Sequence, residues 1–393
     1  MNHSPEAGNK NAQQSIRSRR VYYIGGFDPR GAGHYHRLYK EEAAKQGARL
    51  GVHMEVGARY KTTPHLHSWT VKSGWHQHTV STDYRFLSWD DIVRQHWQTS
   101  IFKLLITTFK SYQNFFSCGA MGQIRKLYRG PFYSGLYPIV FLALLAVLSV
   151  LIGVGLTAIL ANTGLHLALA AAVGLSAVGL CLWAGLKLAE RLSVLWLLRT
   201  YLFVHGWGIS TPDILKQRID GFSNIIMQDQ KESGCDETLL IGHSVGSILA
   251  VSVLSRVLEK SFDNPISNMN LVTLGQCIPL LSLIPGADSF RRDLKIVLEH
   301  PDTPWLDMGA RADPLCFSQI SPAKASGMDT PAVKWPKMRV VRPFNMFHPA
   351  QYQRIKRNKL RLHFQYLMSS ELQTDYDYFS MTAGPYRLSF SEV

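Results

Sequence analysis

The stretch Thr238–Gly246, with the sequence TLLIGHSVG, decides the fold predicted for this chain. A short apolar run leads into the pattern G-x-S-x-G, and a largely apolar segment without Gly or Pro follows it to Lys260. The first run is typical of a buried strand in a parallel sheet, and the later segment is long enough for a helix on that sheet. Strand, glycine-flanked turn and helix are together the context of a nucleophile elbow, which exposes a serine hydroxyl. We therefore predict that Ser244 is a nucleophile.

Segments on both sides of this motif alternate between strand and helix patterns. Further strands are predicted at Val21–Ile24, Val52–Val56, Asn270–Gly275, Pro304–Met308 and Met338–Arg342. Helices are predicted at His34–Gln46, from Trp89 to about Phe116, and from Pro212 onward, with Thr211 at the cap. Because strands alternate with helices, the sequence predicts the α/β class, with a mostly parallel sheet flanked by helices.

Two long uncharged segments interrupt this pattern. They are Leu136–Leu160 and Leu165–Leu186, with only Ala161–Gly164 between them. As helices they would extend about 37 and 33 Å, against about 30 Å for the hydrocarbon core of a bilayer. We predict a two-helix transmembrane hairpin rather than a hairpin buried in a soluble core. Small residues would let the two helices approach closely, namely Gly153, Gly155, Ala168, Ala172, Gly174 and Gly179.

Positive charges flank the predicted hairpin on its two outer sides. They are Arg125, Lys126 and Arg129 before it, and Lys187, Arg191 and Arg199 after it. The connecting turn has neither Lys nor Arg. Because positive flanks stay in the cytoplasm, the hairpin is predicted to lie in the inner (plasma) membrane with both termini and the catalytic domain cytoplasmic.

The composition fits a membrane-associated cytoplasmic protein. The 393 residues carry a net charge of +14, which suits contact with anionic membrane lipids, and no nucleic-acid-binding motif is present. The five cysteines are scattered without a C-x-x-C pair, so no disulfide framework is expected. A histidine cluster lacks partners at metal-site spacing and is interpreted as solvated loop residues, namely His65, His67, His76 and His78. No metal or cofactor is predicted.

The predicted organisation has five segments. They are a disordered basic leader (1–20), the first part of the catalytic domain with membrane-proximal helices (21–135), the transmembrane hairpin (136–187), the nucleophile-bearing part (200–370) and a C-terminal tail (371–393). The leader has no apolar core, so it is not a secretory signal.

These features together resemble the α/β-hydrolases, in particular a membrane-anchored, lipase-like bacterial type with a helical hairpin inserted before the nucleophile strand. The resemblance covers roughly Val21–Gly31 and Thr211–Leu367. It rests on the elbow, on the chain order and on the tail Leu362–Leu367, with the sequence LHFQYL. It implies a catalytic triad in the chain order Ser, then Asp or Glu, then His.

The acid of this triad should follow a strand that comes after Ser244. A serine hydroxyl needs an imidazole to take its proton, and the imidazole needs a carboxylate to hold its tautomer. Asp313 precedes a proline in a loop past the Pro304–Met308 strand, a place typical of the acid in such hydrolases. Asp307 lies within that strand and remains the alternative.

The base has two candidates late in the chain. His363 is favoured because its tail resembles the His-plus-Tyr end of related lipase-like sequences. His348 lies in a loop after the last predicted strand and remains open, because composition and spacing do not separate the two. His300 precedes the acid and is excluded by chain order.

The oxyanion hole of such an enzyme needs two backbone N–H donors. One is expected from Val245, directly after the nucleophile. The other is expected from the glycine-rich loop after the first strand, at Phe27 or, as the alternative, Gly26.

The sequence therefore predicts a membrane-anchored serine hydrolase that cleaves a carboxylic ester or thioester through an acyl-enzyme. Its membrane location and several tryptophans favour a lipid-like acyl substrate, namely Trp69, Trp75, Trp89 and Trp97. The alternative is a hydrolase-fold scaffold without catalysis, tethered to the membrane as an interaction module. The oligomeric state is not predicted.

Overall fold

The computed structural model describes residues 14–97, 100–232, 234–261 and 268–390. Within these residues, nine strands form one sheet. The strands are β1 (Ser18–Ile24), β2 (His53–Val56), β3 (Tyr60–Thr63), β4 (Leu66–Trp75), β5 (His78–Leu87), β6 (Glu237–His243), β7 (Met269–Leu274), β8 (Trp305–Gly309) and β9 (Lys337–Val340).

The sheet is mixed but mostly parallel. Its order is β2-β4-β5-β1-β6-β7-β8-β9, and β3 pairs with β4. Strands β5, β1, β6, β7, β8 and β9 run parallel, whereas β4 is antiparallel to β5, and β2 and β3 are antiparallel to β4. The predicted α/β class, with a mostly parallel sheet and flanking helices, is confirmed.

Helices connect and cover the strands. The first group is α1 (Gly31–Leu50), α2 (Asp90–His96), α3 (Ile101–Ser117), α4 (Ala120–Leu127), α5 (Arg129–Asn162), α6 (Leu167–Arg191), α7 (Val194–Ile209) and α8 (Asp213–Glu232). The second group is α9 (Gly246–Lys260), α10 (Ile278–Ser282), α11 (Asp288–Glu299), α12 (Pro322–Ala325), α13 (Pro349–Arg357), α14 (Lys359–His363) and α15 (Tyr378–Ala383). Two 3₁₀ turns occupy Pro343–Asn345 and Phe364–Leu367.

The strands predicted from the sequence all occur, with ends shifted by a few residues. What the sequence analysis missed is β3, β4 and β5, where it expected a loop with solvated histidines. His67 and His78 lie in β4 and β5, and His65 and His76 lie in the turns at the strand ends. Polar residues occupy many positions of these antiparallel strands, so their apolar alternation is weak. Contacts between the strands stabilise them instead: Trp69 of β4 stacks on its cross-strand partner Tyr84 of β5, with ring centroids 4.5 Å apart.

The predicted N-terminal leader ends earlier than expected. Strand β1 begins at Ser18, and Ile16 and Arg19 are buried. Arg19 donates to Glu237 at 2.7 Å, so this basic residue pairs inside the fold instead of extending into solvent. Residues 1–13 of the predicted leader lie outside the described part of the chain.

Two compact units make up the described chain. The first, here called the sheet unit, contains residues 1–94, 212–279 and 288–393. Adjacent residues of β1 show its two covered faces: the Tyr22 hydroxyl donates to Asp229 of α8 at 2.6 Å, whereas the Tyr23 ring lies 5.5 Å from Tyr35 of α1. Because successive strand residues point to opposite faces, α8 and α1 lie on opposite sides of the sheet.

The second unit, here called the helical unit, contains residues 95–211 and 280–287. Two of its helices, α5 and α6, are long and apolar enough to cross a membrane, and only 11% of the most apolar stretch of each is buried within the protein. They form an antiparallel pair joined by the short connection 163–166. The predicted apolar hairpin is therefore present, with helices longer than its sequence limits of 136–187.

Two glycines mark the closest contact in this hairpin. A Cβ atom at Gly153 would lie 2.8 Å from the Gly174 carbonyl oxygen, and one at Gly174 would lie 2.6 Å from the Gly153 carbonyl oxygen. The predicted small-residue contact is thus confirmed for this pair. Gly155 and Gly179 do not take part, because a Cβ atom on either would meet nothing within 4 Å.

Candidate active site

The turn after β6 holds Ser244 in a left-handed conformation, with φ of 57°. This region is strained for a residue with a side chain. Gly242 and Gly246 permit the turn, because a Cβ atom on the first would lie 2.6 Å from the Gly246 carbonyl oxygen. One on the second would lie 2.3 Å from the Ile24 carbonyl oxygen. The sharp turn expected of the motif is therefore present, and α9 begins directly after it at Gly246.

Ser244 lies at the carboxyl edge of the sheet, at the point between β1 and β6 where the order of the strands reverses. Strands β2 to β5 lie on one side of β1 in the sheet, and strands β7 to β9 lie on the far side of β6. Strands β1 and β6 are neighbours. In open α/β sheets, the crevice at such a switch point is the usual position of a ligand site.

A buried acid–imidazole pair lies at this same edge. His363 Nδ1 lies 2.7 Å from Asp313 Oδ2, although fifty residues separate them in the sequence. The Asp313 side chain is fully buried, and the His363 side chain is 5% exposed. Asp313 follows β8 in a tight turn, and His363 ends α14. The structure thus brings together two of the three residues predicted as a triad.

Asp313 is held as a carboxylate by several donors. The Tyr366 hydroxyl donates to its Oδ2 at 3.1 Å, and the Leu315 N–H donates to its Oδ1 at 3.0 Å. Burial alone would raise the pKa of Asp313, but the charge and hydrogen bond of His363 and the other donors hold that pKa below its usual value. A carboxylate in this position can orient the imidazole and stabilise its protonated form.

The two alternative residues lie elsewhere. Asp307 is buried within β8, where its Oδ1 accepts from Thr273 at 2.5 Å. Burial raises the pKa of Asp307 to about 7, which suits a shared or neutral acid more than a permanent carboxylate. His348 is exposed at the start of α13, and its backbone N–H bonds to Glu371.

The Ser244 hydroxyl is not hydrogen-bonded to His363 within the described residues. Its Oγ instead lies 3.8 Å from the Sγ of Cys277. Burial raises the pKa of the Cys277 thiol to about 12, so this neighbour is a neutral thiol. Nucleophile–base hydrogen bonds are often long or misaligned without substrate, and rotation about the serine side chain would change this contact.

His243, directly before the nucleophile, supports the base. Its Nε2 lies 3.0 Å from the backbone carbonyl oxygen of His363, and the two rings are 4.9 Å apart. Burial, followed by the charge of His363, lowers the pKa of His243 to about 3. His243 is therefore neutral and donates its Nε2 hydrogen to that carbonyl, which ties the base to the strand that carries the nucleophile.

The predicted oxyanion loop packs against the nucleophile. A Cβ atom at Gly26 would lie 3.0 Å from the Ser244 Cβ, so the loop after β1 passes directly beside it. Phe27 is buried in this loop. Val245 takes a helical conformation at the N-cap of α9, the position whose N–H lies outside the helical ladder. The assignment of these donors to an oxyanion stays a prediction.

Sequence reasoning assigned no role to three of the supporting residues, although Tyr366 belongs to the tail on which the resemblance rests. Cys277, His243 and Tyr366 reach the site from three different segments. Only Tyr366 left a local signal, since His363 and Tyr366 are three residues apart at a 3₁₀ turn, where such positions share a side. A further constraint comes from Gly275 after β7, whose Cβ would lie 2.7 Å from the Tyr366 ring and 3.3 Å from that of His363.

Within the residues that the structure describes, no group of three or more His, Cys, Asp or Glu side chains is placed to hold a metal ion. No protein-family model matches the chain, and no curated protein or solved structure is detectably similar to it. A function for this site therefore has to be argued from the geometry of the chain itself.

Proposed function

We propose that this chain is a membrane-anchored serine hydrolase with an α/β-hydrolase fold. Its substrate is a carboxylic ester or thioester with a lipid-like acyl group. One observation carries the proposal: the buried Asp313–His363 pair, with Nδ1 and Oδ2 2.7 Å apart, lies at the same sheet edge as the strained Ser244 turn. A serine in such a turn, beside an imidazole oriented by a carboxylate, is the arrangement that nucleophilic acyl transfer requires.

In the first step, Ser244 Oγ attacks the carbonyl carbon of the ester while His363 Nε2 takes the hydroxyl proton. Asp313 holds the Nδ1 hydrogen and stabilises the imidazolium. The N–H groups of Val245 and Phe27, or Gly26 in place of Phe27, donate to the carbonyl oxygen as it gains negative charge. The intermediate then expels the alcohol or thiol, which takes the proton from His363 and leaves an acyl-enzyme.

In the second step, water attacks the acyl-enzyme while His363 accepts one of its protons. The intermediate releases the carboxylic acid, and the proton returns to Ser244 Oγ. His243 would hold the imidazole in place during both proton transfers, because it bonds to the backbone carbonyl of His363.

The membrane part of the proposal rests on exposed apolar surface. Helices α5 and α6 expose many aliphatic side chains, among them Leu151 at 63% and Leu175 at 73%. Helix α3 of the same unit exposes Phe102 at 73%, Phe109 at 71% and Phe116 at 51%, at a seven-residue spacing. Soluble surfaces rarely expose apolar groups so densely. We place the hairpin in the inner (plasma) membrane, with the termini and the sheet unit cytoplasmic, because its positive flanks lie outside both spans.

Fluorophosphonate labelling tests the catalytic part of the proposal. The full chain is solubilised in a neutral detergent and compared with Ser244→Ala, His363→Ala and His348→Ala. We expect rapid labelling of the wild type and of His348→Ala, none of Ser244→Ala, and at least a 100-fold slower rate for His363→Ala, because general-base catalysis typically contributes about 10²–10⁴-fold. His348 is the matched control, since it is an exposed histidine outside the Asp313 pair.

The same experiment decides against the proposal if the folded wild type is not labelled. A non-catalytic, membrane-tethered interaction module would then explain the site better. The contact of Ser244 Oγ with Cys277 in place of His363 is the observation that favours this second function. Equal labelling of His363→Ala and wild type would reject His363 as the base.

A further inference from the structure

A cavity of about 320 Å³ opens at the carboxyl edge of the sheet unit, outside the residues assigned to catalysis. Its size is in the range of small-molecule sites. Cationic side chains from three segments line it: Arg30 before α1, Arg59 and Lys61 around β3, and Arg94 of α2. We call this cavity the basic pocket.

The acidic residues of the basic pocket already have partners. Asp91 accepts two hydrogen bonds from Arg218, both at 2.7 Å, and Asp90 pairs with Arg94. These two carboxylates are therefore neutralised by two arginines.

The remaining cations leave an excess of positive charge. Arg30 pairs with Asp28 at 2.6 Å. Arg59 and Lys61 have no carboxylate partner within the described residues, and both are exposed. Arg59 bonds instead to His67 Nδ1 at 2.9 Å. Burial, followed by the charges of Arg59 and Lys61, lowers the pKa of His67, as a local positive potential requires.

The backbone adds further donors to the basic pocket. Its lining includes Gly31, Ala32 and Gly33, the first residues of α1, and the Asp28 side chain accepts from the Arg30 N–H directly before them at 3.0 Å. The first turn of a helix presents free N–H groups and a partial positive charge. The first turn of α1 contains no acidic residue, but the Asp90 carboxylate lies against it, because a Cβ atom at Gly31 would be 2.7 Å from Asp90 Oδ2. Because Asp28 and Asp90 already lie at this helix start, the preference of the basic pocket for an anion rests on Arg59 and Lys61.

The basic pocket lies close to the proposed nucleophile along the sheet edge. Its lining residues follow β1 and β5 or precede β4, and Ser244 follows β6. These strands are neighbours in the order β4-β5-β1-β6. With about 4.8 Å between adjacent strands, these strands lie about 5–15 Å from β6 in the direction across the sheet.

One residue links the basic pocket to the candidate active site. The Arg30 guanidinium lies 4.9 Å from the ring centre of Phe364, which directly follows His363. Arg30 also follows the loop that packs beside Ser244. An anion in the basic pocket would therefore be held within reach of an ester carbonyl at the nucleophile.

We propose that the basic pocket binds a phosphate group carried by the substrate, so that the enzyme prefers acyl esters that carry a phosphate over neutral acyl esters. The inference rests on the proposed hydrolase function. Arg59 and Lys61 supply the contacts, which are charge-assisted hydrogen bonds of the kind that recognise phosphate.

Binding is measured first with a protein that cannot turn over. The full chain with Ser244→Ala, in neutral detergent, is titrated by calorimetry with glycerol 3-phosphate, with inorganic phosphate and with glycerol. We expect glycerol 3-phosphate to bind and glycerol not to bind. Adding Arg59→Gln and Lys61→Gln should lower the affinity for glycerol 3-phosphate at least tenfold, because two charge-assisted contacts are lost. The matched control, Lys40→Gln with Lys72→Gln, removes the same charge from exposed positions on α1 and β4 and should bind as before.

Turnover by the otherwise wild-type chain then tests the preference. The substrates are 1-acyl-glycerol 3-phosphate and 1-acyl-glycerol with the same acyl chain. We expect kcat/KM to favour the phosphate ester at least tenfold, and the Arg59→Gln, Lys61→Gln variant to lose this preference while it hydrolyses the neutral ester as before. Arg59 and Lys61 lie outside the proposed triad and oxyanion hole, so hydrolysis of the neutral ester is a valid internal control.

Each outcome has a definite meaning. If glycerol 3-phosphate binds and the basic-pocket variant loses that binding, but Ser244 is never labelled, the hydrolase function fails and the phosphate site stands. If inorganic phosphate binds as tightly as glycerol 3-phosphate and no ester preference exists, the site serves free phosphate and the substrate assignment is overturned. If the chain binds none of these small ligands but binds vesicles that contain phosphatidylglycerol, and the basic-pocket variant binds those vesicles more weakly, a membrane headgroup occupies the site. The substrate assignment is then again overturned. Equal binding by the basic-pocket variant and its control rejects the pocket altogether.

Discussion

The sheet unit and the helical unit differ in which side chains they bury and which they expose. In the sheet unit, charged side chains such as Arg19, Glu237 and Asp313 are buried and paired. In the helical unit, aliphatic side chains such as Leu151 and Leu175 are more than half exposed. A buried polar group is tolerated only with a hydrogen-bonding partner, and an exposed apolar group is costly only in water. The two units therefore differ in the surfaces that they expose, and the apolar surface of α5 and α6 is long enough to cross a membrane.

This contrast also separates the two kinds of evidence for function. The candidate chemistry depends on a few distances between buried polar atoms in the sheet unit. The proposed membrane attachment depends on the total apolar surface of α5 and α6, to which each residue contributes a little. We thus expect single substitutions to have large effects on chemistry and smaller, local effects on the hairpin.

The largest effect is expected for Asp313→Asn. The amide keeps the shape of the side chain but cannot stabilise an imidazolium and favours the wrong tautomer of His363. Loss of this role costs about 10³–10⁴-fold in rate where a triad acts. The measurement is the rate of fluorophosphonate labelling, or of ester hydrolysis, at pH 7.5.

Asp307→Asn is the matched control for this substitution. Asp307 is equally buried, and an amide oxygen at this position can still accept from Thr273. Its rate should stay within about threefold of the wild type, because the change removes no proposed catalytic charge. A comparable loss in both variants would mean that fold damage, rather than the Asp313–His363 pair, sets the rate.

A smaller effect is expected in the hairpin for Gly153→Leu. Its Cβ would lie 2.3 Å from Val178 and 2.8 Å from the Gly174 carbonyl, so the helices must separate. Overpacking of this kind costs about 1–3 kcal/mol. The thermal midpoint of the helical signal in detergent should fall, while Ser244 labelling below that temperature should not change.

Gly155→Leu adds the same side chain where a Cβ meets nothing within 4 Å. It should unfold at the wild-type temperature. If both variants lose stability equally, the Gly153–Gly174 contact does not hold the helices together.

The smallest effect is a pair of opposing pH dependences in the sheet unit. The pKa of His243 is about 3 in the folded chain and about 6.5 when unfolded, so the unfolded chain takes up the proton first and stability falls on acidification. The pKa of Asp307 is about 7 when folded, against about 3.9 when unfolded, so stability rises on acidification. Between pH 7 and 5, each group changes the free energy of unfolding by about 2 kcal/mol, with opposite signs.

Two substitutions separate these contributions. When the pH falls from 7 to 5, the free energy of unfolding of Asp307→Asn should decrease by about 2 kcal/mol more than that of the wild type. That of His243→Gln should decrease by about 2 kcal/mol less than that of the wild type. Urea unfolding followed by tryptophan fluorescence at each pH gives the slopes. If the free energy of unfolding of both variants changes with pH as it does in the wild type, neither group is held in the charge state described above.

Much of the architecture was predictable because its signals are local. The apolar run of β6, the G-x-S-x-G turn and the start of α8 each depend on neighbours in the sequence. The first two occur as predicted, and α8 begins one residue after the predicted Pro212. Strands β3, β4 and β5 were not predictable in this way. Their stability comes from cross-strand pairs such as Trp69 and Tyr84, which the short-range apolar pattern does not reveal.

The candidate site divides along the same line. Its principal residues were named from motif and chain order, whereas Cys277 and His243 entered only through contacts across 33 and 120 residues. Between Asp307 and Asp313, and between His348 and His363, the sequence left the choice of partner open. The fold brings only Asp313 and His363 together as a pair at the carboxyl edge.

The sequence by itself determined the class of the sheet, the sharp turn at Ser244 and the two apolar helices, because strand and helix periodicity, glycine placement and the length of uncharged segments act over a few residues. The tertiary structure decided which acid meets which imidazole, that β3, β4 and β5 extend the sheet, and that Arg59 and Lys61 share a cavity with the start of α1. The physical reason is that these outcomes depend on which distant segments pack together, and the free energy of that packing is distributed over the whole chain.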